Sequence, residues 1–525
     1  MKKKKNSAET EMSFPQWVGE KGTYIYVLIM LVVFSLYCTN KMFNLVEDRK
    51  NFFQYLTVLY AFMLLPAAGQ ALYKLVKKPS ELKLPGIDTV WMLFLLGGIL
   101  LSTVISGDGK RIFWEMPTAR SISGLCFIGC ILVYFGVRRF GVFDGPVLWG
   151  WMAGSAVIYL FGILCSCGIN FMHIQDGVEQ RYYFISPLGG SNINATYVCL
   201  MLPFLMVMFL VGEGLFARVV SGAYLYMGFL FSFFIKTESS AITMVFGIFL
   251  LGYFALEKKE WFERYTQVVG IYLGAKLTIR ILLYLFPDRL YPFDGIDLKL
   301  LDLKMILAEA AAWGLVAALQ CLKKDVFRSA VFCIRKYLLG VVAAAALVFV
   351  VSLVAVNLMG EAVPEGSVFR HLMITDATFN ARGFIWRRTA ALLREEPLIN
   401  KLFGNGLGSL YDQIYFGADR KALLEYMGGN AFYDPHNEYL QCLVDMGIAG
   451  FAGYIGLLVT TLVRALRRWK GSEWQMAVAL TLAVYMVQAL VNAYSIMHMP
   501  LLFIFLGFAN GYMLRKGESG YDPLP

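Results

Sequence analysis

About fourteen stretches of this 525-residue chain are apolar and long enough to cross the ~30 Å hydrocarbon core of a bilayer. Charged residues make up only 16% of the chain and hydrophobic residues 58%, whereas soluble domains carry about a quarter charged residues. The sequence therefore excludes a soluble enzyme, a disordered chain and a secreted disulfide scaffold. It predicts an all-α polytopic integral membrane protein with about 12–14 transmembrane helices. The apolar stretches lie near residues 23–40, 52–74, 87–106, 121–137, 142–168, 192–212, 219–235, 239–256, 266–286, 300–322, 337–357, 436–463, 474–492 and 496–514.

Lysine and arginine residues predict how these helices are oriented. In the short connections they concentrate on the side that holds the N-terminus, so the positive-inside rule predicts both termini in the cytoplasm. The same rule accounts for most of the net charge of +10 without a nucleic-acid partner. The predicted organisation is a basic cytoplasmic tail (1–22), an N-terminal bundle of about eleven spans (23–357), a large extracytoplasmic loop (358–435), C-terminal transmembrane helices (436–514) and a cytoplasmic tail (515–525).

The large loop contains one amphipathic stretch, from Asn380 to Glu396, in which apolar residues recur at helical spacing. Asn380 is the predicted N-cap of this helix. Beyond it, the glycines of residues 404–408 predict a flexible turn. A phosphate-binding loop is the alternative interpretation, but no Gly-Lys-Ser/Thr follows the glycines, and the predicted location outside the cell removes ATP.

The strongest local signal is the sequence Asp434-Pro435-His436-Asn437-Glu438. Asp434 can cap a helix and Pro435 suits the first helical position, so the pattern predicts His436 in the first turn of a transmembrane helix. The partial positive charge of a helix N-terminus disfavours protonated imidazole, which makes His436 a candidate general base. The alternative is an interfacial histidine that bonds a loop carbonyl.

Two arginines stand out on the same predicted side of the membrane. Arg382 lies at the start of the loop helix, and Arg181 is the basic residue of its own loop. The turn 189–192 follows Arg181, and its glycines, a capping Ser191 or Asn192 and the exposed N–H groups of the next helix form a candidate anion site. Arginine adds bidentate phosphate binding. Alternatively, each arginine snorkels to the interface or pairs with a loop carboxylate. No set of cysteines has metal-ligand spacing with histidine, and the sequence calls for no metal and no cofactor.

These motifs together resemble the O-antigen ligase and O-antigen polymerase superfamily of bacterial polysaccharide-assembly enzymes. The residues His436-Asn437-Glu438-Tyr439-Leu440, followed by Gly447-Ile448-Ala449-Gly450, resemble its signature. The blocks 382–386, 396–398 and 404–408 resemble the preceding part of the family, 181–195 an upstream loop, and Arg120…Gly124 an earlier element. The chain departs from the family at Gly190-Ser191-Asn192, where Asn-Pro-Asn is frequent, and at Glu238-Ser239-Ser240, where a Ser-Arg pair is frequent.

The resemblance implies glycan transfer at the outer face of the cytoplasmic membrane. The donor would be a saccharide on undecaprenyl diphosphate, and the acceptor a sugar hydroxyl of a growing chain or of a lipid-anchored glycan, with no nucleotide sugar or metal. Arg181 and Arg382 would bind the diphosphate, and His436 would deprotonate or orient the acceptor hydroxyl. The further residues implied in substrate binding are Asn192, Ser191, Asn437, Tyr439, Arg120 and Trp386. The motifs do not separate a ligase from a polymerase.

Two other functions compete with glycan transfer. A transporter or flippase of lipid-linked glycan predicts inverted repeats and charges spread through several spans. No clear repeat is present, although Lys276, Arg280 and Glu309 lie within predicted spans, where they either neutralise one another or line a polar cavity. A peptidoglycan polymerase of the shape and division type would share the general architecture but lacks the His436 block.

Overall fold

The computed structural model describes most of the chain in residue-level detail. The described residues are 13–77, 85–116, 121–293, 295–321, 324–364, 367–376, 378, 381–415, 420–426, 428 and 432–519. They form helices almost throughout, and the strands among them are limited to one short antiparallel pair, β1 (Phe184–Ser186) and β2 (Gly189–Gly190).

The helices are α1 (Phe14–Ile29), α2 (Leu45–Lys77), α3 (Ile87–Ile105), α4 (Gly109–Trp114), α5 (Gly124–Phe140), α6 (Gly145–Ser166), α7 (Ser191–Val211), α8 (Leu215–Phe234), α9 (Glu238–Ala255), α10 (Lys259–Leu285), α11 (Gly295–Leu300), α12 (Leu303–Ala318), α13 (Lys324–Met359), α14 (Arg382–Glu395), α15 (Leu398–Phe403), α16 (Leu410–Tyr415), α17 (Arg420–Tyr426), α18 (Glu438–Arg468), α19 (Glu473–Gln488) and α20 (Met499–Ser519).

Each of the fourteen apolar stretches overlaps one of these helices. Within the described residues, ten helices are long and apolar enough to span a bilayer, and Leu347–Met359 and Met499–Gly511 are shorter apolar segments. The predicted class, an all-α polytopic membrane protein, is therefore confirmed.

Helix α7 lies at the centre of the bundle. In its most apolar segment 94% of the residues are buried by other parts of the protein, whereas the corresponding share in α2 is 11%. Helices α8, α9 and α19 surround α7. Because protein rather than lipid encloses α7, its N-terminal end is a rigid point on which a site can be built.

Helix α18 packs closely on α3 because both present glycines at the crossing. A Cβ atom on Gly98 would lie 2.5 Å from the Cα atom of Gly450, and one on Gly453 would overlap the backbone of Leu95. Small residues are typical of such close helix contacts in membranes, where packing has to supply the attraction.

A kink at Gly447 corrects the prediction for residues 404–408. Gly447 has a φ of 63°, which interrupts the hydrogen bonding inside α18. The freed carbonyl groups of Val444 and Asp445 accept hydrogen bonds from the N–H groups of Asn405 (2.9 Å) and Gly406 (3.1 Å). The predicted flexible turn is therefore wrong: this segment is buried, because backbone groups exposed at a kink need partners.

Replacing Gly447 with alanine is expected to lower the free energy of unfolding by about 2 kcal/mol or more. The φ of this residue is left-handed, and a Cβ atom here would overlap the backbone of Phe403 and Gly404. Thermal unfolding of the purified protein in detergent measures the effect. Gly340→Ala on α13 is the matched control, since a Cβ atom at Gly340 has no neighbour within 4 Å; an equal loss in both variants would contradict the role of the kink.

Lys276 on α10 and Glu309 on α12 form an ion pair at 2.6 Å. The Lys276 side chain is fully buried, while that of Glu309 is 32% exposed. The two charges thus neutralise each other, which was one of the two alternatives for charged residues within the spans.

Candidate functional site

The connections predicted to lie outside the cell meet at one end of the helix bundle. A hydrogen bond joins the start of α7 to the large loop, and the connection between α19 and α20 bonds both the start of α7 and Asn437, just after the loop. Six non-glycine residues of the described chain have a left-handed backbone, and all six lie in these connections. Such strain is typical of functional sites, where surrounding contacts hold it in place. The six are Lys41, Met172, His173, Lys236, Ala381 and His436.

His436 lies just before α18 and not in its first turn, so the prediction was wrong on this point. The helix begins at Glu438, and the side chain of Asn437 caps it by accepting hydrogen bonds from the N–H groups two and three residues further on, each at 3.0 Å. The carboxylate of Asp434 instead accepts a hydrogen bond from the backbone N–H of His436 at 2.8 Å. Asn437 therefore takes the capping role that the sequence assigned to Asp434, because its amide oxygen satisfies two N–H groups of the first turn.

The imidazole ring of His436 is 18% exposed and rests on a buried carboxylate. Its Nδ1 atom lies 3.4 Å from Oδ1 of Asp434, whose side chain is 1% exposed. A carboxylate next to Nδ1 favours the tautomer with a proton on that atom and orients the ring. The other nitrogen, Nε2, is then able to accept a proton from a hydroxyl group.

Helix α14 brings Arg382 to the start of α7. Nη2 of Arg382 donates to Oδ1 of Asn192 at 3.5 Å. One helical turn later, Nε1 of Trp386 donates to the carbonyl oxygen of Pro435 at 2.8 Å. The same helix therefore contacts both the α7 end and the segment that carries His436.

The predicted loop helix is present as α14, with Phe384, Ile385 and Thr389 buried. It begins at Arg382, and Ala381 occupies the N-cap position without a side-chain hydrogen bond. The predicted cap, Asn380, lies outside the described residues.

The far end of α14 is tied to the buried turn at residues 404–408. Nδ2 of Asn405 donates to the carboxylate of Glu396 at 3.1 Å. Burial raises the pKa of Glu396, and the bond from Asn405 acts in the opposite direction. The family-like blocks 396–398 and 404–408, two of the three in the loop, thus contact each other and, through the kink, α18.

The start of α7 lies beside an arginine. Its N-cap residue is Gly190, which has no side chain to accept hydrogen bonds from the first N–H groups of the helix. The hairpin before it is closed by Asn194, which donates to the carbonyl groups of Gly189 and Gly190 at 2.9 and 3.1 Å. The φ of Gly189 is 93°, a conformation that favours glycine. N–H groups at a helix start beside Arg382 form an arrangement that attracts anions.

Three further predicted residues use their polar side chains to hold the backbone. The hydroxyl of Ser191 donates to the carbonyl of Tyr183 at 3.3 Å, and that of Tyr439 donates to the carbonyl of Met486 at 2.6 Å. Besides capping α18, Asn437 donates to the carbonyl group of residue 490 at 2.8 Å. These contacts fix the segments around the site.

Arg181 lies on the exposed loop before β1, and in the described part of the chain no hydrogen bond joins its side chain to this group. Its carbonyl oxygen accepts a hydrogen bond from Gln175, which also accepts one from the hydroxyl of Tyr291. Burial raises the pKa of Tyr291, and the positive charge of Arg181 acts against that shift. Arg181 is therefore placed beside Tyr291, while Arg120 lies outside the described residues.

Sequence reasoning missed a buried polar cluster directly behind His436. The carboxylate of Glu438 is fully buried and accepts hydrogen bonds from the hydroxyls of Tyr454 and Tyr485, each at 2.9 Å. Nε2 of His498 lies 3.4 Å from the same carboxylate. A glutamate at the start of a predicted span was the available signal. Across the described ranges, no group of three or more histidine, cysteine or acidic side chains is arranged to hold a metal ion.

The fold and this end of the bundle define a class of protein: a multi-pass helical membrane protein whose polar connections converge on a histidine and an arginine. Residues 304–455, which contain both Arg382 and His436, match the family model described as O-antigen ligase. The match covers under a third of the chain and confirms the resemblance to the O-antigen ligase and polymerase superfamily. It supports an enzymatic activity of that type in glycan assembly, with lipid-linked glycan substrates. No curated protein was found to match the chain.

Proposed function

We propose that this protein transfers a saccharide from undecaprenyl diphosphate to a hydroxyl group of an acceptor glycan, at the outer face of the cytoplasmic membrane. The observation that carries the proposal is the position of α14. Its first residue, Arg382, bonds Asn192 at the start of α7, and Trp386 bonds the carbonyl group next to His436. An anion-binding group and a proton acceptor are thereby held by one helix.

The arginine side of the site, formed by Arg382 and the start of α7, suits the leaving group. When the bond between the anomeric carbon and the diphosphate oxygen breaks, negative charge develops on undecaprenyl diphosphate. The guanidinium group of Arg382 and the N–H groups at the start of α7 stabilise that charge, and Arg181 adds a second cation from the neighbouring loop. Asn192 orients Arg382, and Ser191 holds the turn that precedes the helix.

The histidine side of the site, formed by His436 and Asp434, suits the acceptor glycan. As the acceptor hydroxyl oxygen forms a bond to the anomeric carbon, its proton passes to Nε2 of His436. Asp434 holds the ring, while Asn437 and Tyr439 fix the start of α18 beneath it. The bond that forms is glycosidic, the bond that breaks is the one to phosphate, and undecaprenyl diphosphate leaves with the electron pair.

Reconstitution of the full chain in proteoliposomes tests the proposal. With undecaprenyl-diphosphate oligosaccharide and an acceptor glycan, we expect one undecaprenyl diphosphate released for each new glycosidic bond. Release with the donor alone and growth of the saccharide chain would identify a polymerase. Movement of donor across the bilayer without a new bond would contradict the proposal and favour the flippase.

Labelling of introduced cysteines tests the predicted orientation. His173 lies in the connection after α6, and its side chain is 80% exposed, so His173→Cys is expected to react with an impermeant maleimide in intact spheroplasts. Gly471→Cys, between α18 and α19, is expected to react only after permeabilisation. Both substitutions are made in a chain whose exposed Cys321 and Cys333 are serine. The reverse pattern would contradict the orientation.

A further inference from the structure

We infer that Asn492, in the connection between α19 and α20 (residues 489–498), is a positioning residue that fixes Arg382 relative to His436. The inference rests on the proposed function, since it assigns these two residues to opposite sides of one reaction. It adds a residue that lies outside the region matched by the family model.

The connection is fastened at both ends to the segment that carries His436. The carbonyl groups of its first two residues accept hydrogen bonds from the backbone N–H of Glu438 (2.9 Å) and from Nδ2 of Asn437 (2.8 Å). At its last residue, His498 lies 3.4 Å from the buried carboxylate of Glu438. Because Asn437 and Glu438 directly follow His436, these contacts join the connection and the histidine segment into one hydrogen-bonded unit.

Asn492 links this unit to the arginine side. Its side chain is 1% exposed, and its Nδ2 atom donates to the carbonyl oxygen of Asn192 and to the hydroxyl of Thr196, each at 3.1 Å. In the part of the chain that the structure describes, both hydrogen bonds from the connection to α7 come from Asn492. The side chain of Asn192 in turn accepts the bond from Arg382. A continuous path therefore runs from Arg382 through Asn192 and Asn492 to His436.

This path matters because leaving-group stabilisation and proton transfer have to act on the same bond. A displacement of about 1 Å between two such groups can lower a rate by about 10²-fold. Arg382 lies on the large loop, whereas His436 lies just before a helix of the bundle. Their separation therefore depends on contacts: the bond from Trp386 to the carbonyl group of Pro435 holds one side, and the path through Asn492 holds the other. A buried amide that bonds two groups of α7 at once is suited to set that separation.

Kinetics of Asn492→Ala test the inference. We expect kcat for release of undecaprenyl diphosphate to fall about 10- to 100-fold, with the donor KM changed less than about threefold. The matched control is Asn510→Ala: Asn510 is also buried and bonds Thr461 across α18 and α20, but near the opposite end of these helices. The control is expected to lose similar thermal stability and keep its kcat. An unchanged kcat in Asn492→Ala, or an equal loss in both variants, would overturn the inference.

A double substitution separates positioning from a general structural effect. If Asn492 acts through Arg382, the variant Asn492→Ala/Arg382→Ala is expected to be no slower than Arg382→Ala alone. Effects that multiply would show that Asn492 acts by another route and would overturn the inference.

A distance measurement gives a readout that does not depend on activity. Spin labels are placed on cysteines introduced at two exposed residues, Leu490 in the connection that is bonded to the His436 segment and Arg394 on α14, after the native accessible cysteines are replaced by serine. Asn492→Ala is expected to broaden the distance distribution, and Asn510→Ala to leave it unchanged. An unchanged distribution in Asn492→Ala would overturn the inference. If the wild-type protein shows no transfer activity but Asn492→Ala still broadens the distance distribution, the result would contradict the proposed function alone.

Discussion

The variant His436→Asn is expected to transfer saccharide with a kcat about 10²- to 10⁴-fold below that of the wild-type protein. The substitution removes the nitrogen that we propose accepts the hydroxyl proton. Asparagine is chosen because His436 has a left-handed φ of 47°, which asparagine adopts more readily than most residues. The variant should therefore stay folded, with its thermal stability close to that of the wild type. The initial rate of undecaprenyl diphosphate release in proteoliposomes measures the effect.

The control for this prediction is His173→Asn. His173 also has a left-handed backbone, with a φ of 57°, and lies at the same end of the bundle with an 80% exposed side chain. It is expected to keep full activity. A third variant, His436→Gly, fits the backbone and leaves room for a soluble base, so added imidazole should restore part of its rate. Full activity of His436→Asn would instead support the interfacial histidine that bonds a loop carbonyl.

The transmembrane helices could be predicted because hydropathy is a local property. A run of about twenty apolar residues identifies a span whatever the rest of the chain does. The position of His436 could not be predicted in the same way, because two neighbouring residues, Asp434 and Asn437, compete to cap the same helix. Distant contacts decide between them: Trp386 bonds the carbonyl of Pro435, and Asn437 also bonds a carbonyl group after α19.

The burial of the turn at 404–408 and the role of Asn492 could not be predicted from the sequence for a related reason. Glycines in a predicted loop indicate flexibility, and only the kink at Gly447 shows that this turn has backbone carbonyl groups to bond. Asn492 and Asn192 are 300 residues apart in the chain. A single sequence contains no pattern that joins them, although both lie at ends of predicted spans that the distribution of basic residues assigned to the same side.

Arg382 is the second residue whose replacement is expected to have a large effect. Removal of one group that stabilises developing negative charge typically lowers a rate by about 10²- to 10³-fold, and Arg382→Ala is expected to fall in this range. Arg382→Lys keeps the charge but lacks the planar group that bonds Asn192 and could bond a phosphate oxygen at the same time, so we expect it to recover only part of the loss. The release rate, and the concentration of undecaprenyl diphosphate that half-inhibits transfer, measure the two effects.

The control for Arg382 lies on the same helix. Arg394 is exposed in the last turn of α14, and Arg394→Ala removes an equal charge from the loop without touching the start of α7. If the loop attracts the anionic donor only through its overall charge, both variants should weaken binding equally. If Arg382 acts at the leaving group, Arg382→Ala alone should lose rate and become less sensitive to inhibition by undecaprenyl diphosphate. Full activity of Arg382→Ala would mean that its bond to Asn192 only holds the loop in place, and the anion site would have to be sought beside Arg181.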